Sequence, residues 1–330
     1  MSNQPVPSNE ELVWMYEKML LNRRWEESIK DEYLEGKVPV FNMAAGPIPG
    51  EMHLSCGQEP CAVGVCVHLN QNDYVVGSHR PHHVAVAKGV DLNAMTAEVY
   101  GKANGLGRGK GGHMHLFDAA TGFSCSGIVG QSIGIGLGHA LAASYRNDGT
   151  VSVAFTGEGG VNQGIFHEAM NLAALWKLPF VCIVEDNRWG VSVSKASSTA
   201  IERNSDRAAS YGIVGEYVEN NDVWGVYAAA KRAVDRARAG EGPTIIEIET
   251  ARLAGHFVGD PESYVPSEEL SAREDPIDVM RTRMVADGVF TEAEAQRLND
   301  QAMDVAAKSI VFAQEDTYPQ ADEAFDHVYA

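Results

Sequence analysis

Five cysteines in 330 residues, odd in number and without a CxxC pair, indicate neither a disulfide framework nor a zinc site. Cys56, Cys61, Cys66, Cys125 and Cys182 are therefore expected as buried thiols. No apolar run is long enough to span a bilayer. The opening MSNQPVPSNEELVWMYEKML has neither the basic start nor the apolar centre of a secretion signal, so a cytoplasmic protein is expected. Basic charge is scarce as well. With 26 Lys and Arg against 45 Asp and Glu, the formal charge of -19 argues against binding driven by nucleic-acid phosphates or anionic membranes. It leaves room for a basic protein partner. Internal repeats are absent.

What remains is a chain with 45% hydrophobic and 22% charged residues, enough for one large α/β domain. The pattern divides into an N-terminal helical arm over 1–37, an α/β domain over 38–266 and a C-terminal helical region over 267–330 packed on the same domain. The arm is a helix capped near Ser8. The last region carries helix starts at Ser267-Glu268-Glu269 and at the capping box Thr291 to Glu294. The acidic tail from Glu315 to Asp326 is expected as a solvated surface.

The richest segment is VSVAFTGEGGVNQGIFHEAMNLAALWKLPFVCIVEDNRWGVS, from Val151 to Ser192. Val151 to Phe155 is a buried parallel strand in pattern, and it ends at Gly157-Glu158-Gly159-Gly160. Ligands of open α/β sheets bind at that carboxyl edge. The glycines let a bulky anion approach the main chain and turn N–H groups towards it. Ile165, Ala169, Leu172, Ala173 and Trp176 then recur at helical spacing, Leu178-Pro179 stops the helix, and Phe180 to Val184 reads as the next strand, delivering Asp186-Asn187. A carboxylate from one strand and an amide oxygen from the next suit Mg²⁺, which keeps few protein ligands and shares phosphate oxygens with its substrate.

Gly-acid-Gly followed about thirty residues later by an Asn resembles the thiamine diphosphate (ThDP) motif. Glu158 replaces the usual Asp, and Asp186 the first of two Asn; Asn187 keeps the position that holds the metal. Further segments resemble one branch of these enzymes in order: HLSCGQE (53–59), SHR (78–80), GKGGHMH (109–115), GIVG (127–130), RLAGH (252–256) and Asp260-Pro261. The branch is the α subunit of heterotetrameric 2-oxo acid dehydrogenases, comprising pyruvate, branched-chain 2-oxo acid and acetoin members. The fold this implies is α/β, a mostly parallel sheet flanked by helices that forms the diphosphate-binding half of a ThDP-binding fold.

The resemblance implies a division of labour. The α subunit holds diphosphate and Mg²⁺, and a β subunit supplies the glutamate that activates the aminopyrimidine, in an α₂β₂ heterotetramer with ThDP at the interface. Glu158, Asn187 and the carbonyl of Trp189 would hold the metal. Arg80, Arg252 and the main-chain N–H groups of Gly159 and Gly160 would face the diphosphate, with His79 where the family often has Tyr. Gly127 and Val129 match residues whose backbone contacts the aminopyrimidine. Gly134, Gly136 and Gly138 read instead as close helix packing, since no ribose-binding acid accompanies them.

In such enzymes the cofactor attacks a substrate carbonyl and stores the electron pair when a carbon–carbon bond breaks. The protein moves protons, work suited to histidine. His256 matches a loop histidine over the reactive ring and the cofactor, and His53 one beside the substrate; both are the catalytic candidates. His82 and His83 are pocket candidates standing behind these. His113 and His115 lie in a glycine-rich loop with Lys110 that is no Walker A, since Gly111 stands where Ser or Thr would hold the metal. Phe257 replaces the phosphoserine that mitochondrial pyruvate relatives carry.

The function expected is the α subunit of a ThDP-dependent 2-oxo acid or acetoin dehydrogenase passing an acyl group to a lipoyl acyltransferase. Compact length points to acetoin and bacterial pyruvate members and Glu158 to branched-chain ones, so the substrate stays open. Two alternatives stand beside it: a ThDP carboligase, acyloin-forming or diketone-cleaving, without lipoyl transfer, and a cofactor-free scaffolding subunit.

Overall fold

The computed structural model describes residues 4–38, 41–326 and 328. Helix α1 (Asn9–Leu34) opens on a reciprocal capping box between Ser8 and Glu11. It is followed by α2 (Glu59–Cys66), β1 (Tyr74–Gly77), α3 (His82–Lys88), α4 (Leu92–Val99), β2 (Phe117–Asp118), β3 (Phe123–Cys125), α5 (Gln131–Arg146) and β4 (Ser152–Gly157). The segment read as βαβ continues through α6 (Gly164–Leu175) to β5 (Phe180–Asp186). A hairpin of β6 (Trp189–Gly190) and β7 (Val193–Ser194) leads to the one-turn α7 (Lys195–Ser198), then to β8 (Val214–Val218), α8 (Val223–Arg238) and β9 (Thr244–Glu249). Helices α9 (Ser267–Ser271), α10 (Pro276–Ala286) and α11 (Glu292–Glu315) follow, the last on the expected box between Thr291 and Glu294.

Among the described residues seven strands form one sheet in the order β2-β3-β1-β4-β5-β9-β8, parallel except for the β2–β3 pair. β5 is buried along its whole length, and β4 along all but its last residue. Helices cover both faces, so these strands read as continuous apolar runs rather than alternations. The chain leaves β1 towards β3 on one side and leaves β4 towards β5 on the other. A crevice therefore opens between the carboxyl ends of β1 and β4, where α/β sheets bind ligands. The pairing of Val153 with Val181 and of Gly157 with Glu185 brings the two motif loops side by side.

Helix α5 lies close over β4 and against α6 because its glycines permit it. A Cβ at Gly136 would stand 2.8 Å from the Cβ of Ala154, and one at Gly134 would stand 3.2 Å from Ile165. Gly138 faces open space, so the packing argument holds for two of the three. On the other face α1 packs along α11 and α10, and one apolar cluster runs from Leu12 on α1 through Val153 and Ile246 of the sheet to Ala313 on α11. Both helical ends thus share the core of the sheet.

The tail beyond α11 is more than a solvated surface. Thr317 accepts a backbone hydrogen bond from Ala103, Asp316 accepts from Asn104, and Arg108 pairs with Glu323. These contacts lie far apart in sequence and have no local signature. The expected thiols are buried and free.

Candidate active site

Five neighbouring strands deliver side chains to one crevice. β1 ends at Ser78-His79-Arg80, β3 leads to Gly127-Val129, β4 to Glu158, β5 to Asn187 and β9 to Arg252. Together with Trp189, Gly159, Gly160, His53 and His256 they line a cavity of about 450 Å³. Every residue singled out for cofactor, metal or proton transfer thus faces one space. The remaining histidine candidates do not.

At the metal end, Asn187 donates to Oε2 of Glu158 through its backbone N (3.3 Å) and its Nδ2 (3.2 Å). Its Oδ1 is buried without a hydrogen-bond partner. Burial, and then the Asp186 carboxylate, push the Glu158 carboxyl up to about 7. A desolvated carboxylate beside a free amide oxygen is a set of hard donors short of positive charge, and a divalent cation meets that need. Trp189 is tied through Nε1 to Glu269 (2.7 Å), which steadies its backbone beside these groups. Val191 follows in the left-handed region with φ 54, a strained conformation for a β-branched residue at the cavity wall.

Gly160 is required sterically, because a Cβ there would lie 2.2 Å from Oγ1 of Thr156. The loop can therefore bring its main chain to a ligand only without a side chain.

Opposite stand two buried guanidiniums. Arg80 donates to the carbonyls of Leu54 (2.9 Å) and His256 (2.6 Å), and Arg252 to that of Ala254 (3.1 Å). Burial, and then repulsion from Arg252, lower Arg80 to about 9. Such a pair is complementary to an anion with several oxygens. The arrangement thus suits a diphosphate bridged to a metal.

His256 is held between them, its Nδ1 3.2 Å from Arg80 and 3.4 Å from Arg252. Guanidinium groups only donate, so Nδ1 accepts and the ring proton sits on Nε2. Burial and the two arginines lower His256 to about 4. The loop carrying it is closed by Asp260, which accepts from the His256 N–H (2.7 Å) and the Tyr264 hydroxyl (2.5 Å). Val258 and Leu253 donate to the carbonyls of Met52 (2.8 Å) and Cys56 (2.9 Å), binding the loop to the segment that carries His53. The His53 and His256 rings meet edge to face at 5.2 Å. Burial, and then Arg80, hold His53 well below the usual histidine range.

Three features escaped the sequence. His82 bonds Glu26 of α1 through Nδ1 (2.8 Å), and His83 bonds Glu185 through Nε2 (2.6 Å), so both are buried behind the cavity. Glu26 also accepts from the Ser55 N–H and hydroxyl (2.7 and 2.8 Å), fixing the His53 segment to α1. The glycine-rich loop cradles a carboxylate of its own chain: Gly107, Gly109, Gly111 and Gly112 donate to the buried Glu98 at 2.7 to 3.1 Å. The sequence showed a glycine-rich loop that is no Walker A; the fold shows it to be an anion nest filled by a carboxylate of its own chain.

A family model described as dehydrogenase E1 component matches residues 37–322. The α subunit of acetoin:2,6-dichlorophenolindophenol oxidoreductase from Bacillus subtilis is 38% identical over 98% of this chain and 94% of its own. The pyruvate dehydrogenase E1 component α subunit of Rhizobium meliloti is 38% identical over 97% of this chain and 90% of its own. A second acetoin:2,6-dichlorophenolindophenol oxidoreductase α subunit, from Cupriavidus necator, is 35% identical over 97% and 94% respectively.

Proposed function

The chain belongs to the dehydrogenase E1 component family, and from that premise we propose that it is the α subunit of a ThDP-dependent 2-oxo acid or acetoin dehydrogenase. It acts with a β subunit in an α₂β₂ assembly and passes an acyl group to a lipoyl acyltransferase. We take that assembly to be cytoplasmic. The observation that carries the reading is the single cavity in which Glu158 and the unpartnered Oδ1 of Asn187 face two buried arginines. A cofactor-free scaffold has no use for such a set, and the relatives favour acyl transfer over free carboligation.

Under this reading Glu158, Asn187 and the carbonyl of Trp189 hold Mg²⁺. Arg80, Arg252, His79 and the N–H groups of Gly159 and Gly160 hold the diphosphate, and the backbone of Gly127 and Val129 orients the aminopyrimidine. ThDP, when bound, supplies the nucleophilic carbon and takes up the electron pair released as the carbon–carbon bond breaks. The chain's own work is binding, orientation and proton transfer. His256 contacts the cofactor and offers a proton from Nε2, because its Nδ1 is occupied by the two guanidiniums. His53 stays neutral at pH 7 and is able to accept one. Bound Mg²⁺ favours the ionised form of Glu158, so the carboxyl that burial pushes up to about 7 is held as carboxylate in the loaded enzyme.

The test is turnover. The chain co-purified with its β subunit should reduce a dye acceptor, and acetylate or acylate a lipoyl domain, with pyruvate, branched-chain 2-oxo acids or acetoin as donor, only when ThDP and Mg²⁺ are present. Acyloin formation without acylation of the lipoyl domain would contradict it.

A further inference from the structure

Three histidines beside the cavity take no part in the function proposed above. Two of them are accounted for by buried carboxylates, His82 by Glu26 and His83 by Glu185. His113 has no such partner. It is 6% exposed, its Nε2 lies 3.4 Å from Nδ1 of His53, and its own Nδ1 makes no well-formed hydrogen bond. The two rings are 5.4 Å apart and tilted by 30°, so the contact joins nitrogen to nitrogen rather than stacking face on face.

We propose that His113 is a positioning residue for His53: it holds the ring and fixes which nitrogen meets the substrate. A neutral imidazole carries one N–H and one lone pair, and the partner of one nitrogen decides the state of the other. For His53 to accept a proton at Nε2 its own N–H must sit on Nδ1, and the 3.4 Å contact then makes Nε2 of His113 the acceptor and leaves the His113 proton on Nδ1. Nε2 of His113 is then an acceptor, Nδ1–H of His53 donates to it, and Nε2 of His53 is left with its lone pair towards the cavity. The Glu51 carboxylate favours the opposite tautomer, but at 3.8 Å and half exposed it is too distant for a hydrogen bond and is screened by water. The buried contact decides.

The consequence is a matched pair. His256 presents N–H from Nε2, and His53 presents a lone pair from Nε2, with the rings 5.2 Å apart. When a substrate hydroxyl gives its proton to His53, the O–H bond breaks and an N–H bond forms at Nε2. Nδ1–H of His53, donated to His113, holds the ring in register while Nε2 takes the proton.

The inference rests on the ThDP reading, and the experiment separates the two. His113→Leu, His113→Gln and His113→Asn are made in the complex with β, and kcat, KM, ThDP affinity and thermal stability are measured for each. Gln places its amide where Nε2 of histidine stood and is able to accept from His53; Asn places it where Nδ1 stood. The expected result is that all three bind ThDP as the parent does and that Leu and Asn lose kcat on the order of tenfold. KM should change little, and Gln should recover most of the rate. A Leu variant with unchanged kcat would overturn the proposal. So would equal losses in all three that follow their loss of stability. A parent complex that binds no ThDP would remove the function on which the inference depends, and with it the inference.

Discussion

Glu26 is the carboxylate on which the geometry of His53 depends, and Glu26→Gln measures that dependence. Its two oxygens accept from the Ser55 N–H, the Ser55 hydroxyl, the Cys56 thiol and Nδ1 of His82, all at 2.7 to 3.1 Å in a fully buried position. Burial alone would raise this carboxyl; the hydrogen bond and charge of His82 and the Ser55 N–H overcome it and hold the group at about 2, against an ordinary 4.5. At about 1.4 kcal/mol per pH unit, the interaction contributes about 3 kcal/mol. Gln keeps the shape but turns one acceptor oxygen into a donor facing other donors. In a chain of this size the unfolding temperature should fall by roughly 4 °C. Because the folded pKa lies below the unfolded one, this stability is present above the ordinary carboxylate pKa and is lost as pH falls from 4.5 towards 2. The gap between parent and variant should therefore be full near pH 6 and roughly 60% of that near pH 3.5. Scanning calorimetry at several pH values reads both. A shift under about 1 °C, or a gap that does not change with pH, would refute the reasoning.

Arg80→Lys keeps the charge but removes the fork that reaches Leu54 and His256, and ThDP affinity in a titration should weaken on the order of tenfold to a hundredfold. Gly160→Ala should lose ThDP binding because its Cβ meets Thr156, and Gly160→Ala with Thr156→Ala should recover part of it; an unaffected single variant would count against the packing argument. The buried cysteines, of which Cys56 and Cys61 are pushed far up by burial, should resist a thiol reagent in the native protein and react on unfolding. Rapid labelling of any of them would show the core to be open.

The parts of this molecule visible in sequence are those governed by nearby residues. Ser8 and Glu11 announce α1, and Thr291 and Glu294 announce α11, because a capping box closes within one turn. Val151 to Phe155 followed by glycines announces the strand, and the strand direction carries Glu158 to the binding edge. What stayed hidden depends on residues brought together by the fold. Nothing near His82 in the chain points to Glu26, 56 positions earlier. The GLGRGKGG loop read only as glycine-rich and no Walker A, and the fold reveals it as a nest of N–H groups around Glu98. The tail looked solvated because its partners, Asn104 and Arg108, lie more than two hundred residues away.

On the proposed function, one cavity holds a metal-bridged diphosphate with Glu158 and Asn187 as its oxygen ligands. This is tested most directly by calorimetric titration of ThDP with Mg²⁺ into the chain, alone and in complex with its β subunit, for the parent and for Glu158→Ala. Mg²⁺-dependent binding should be tight only with β and should be lost in Glu158→Ala. Binding absent from the parent in both forms, or untouched by Glu158→Ala, would contradict it.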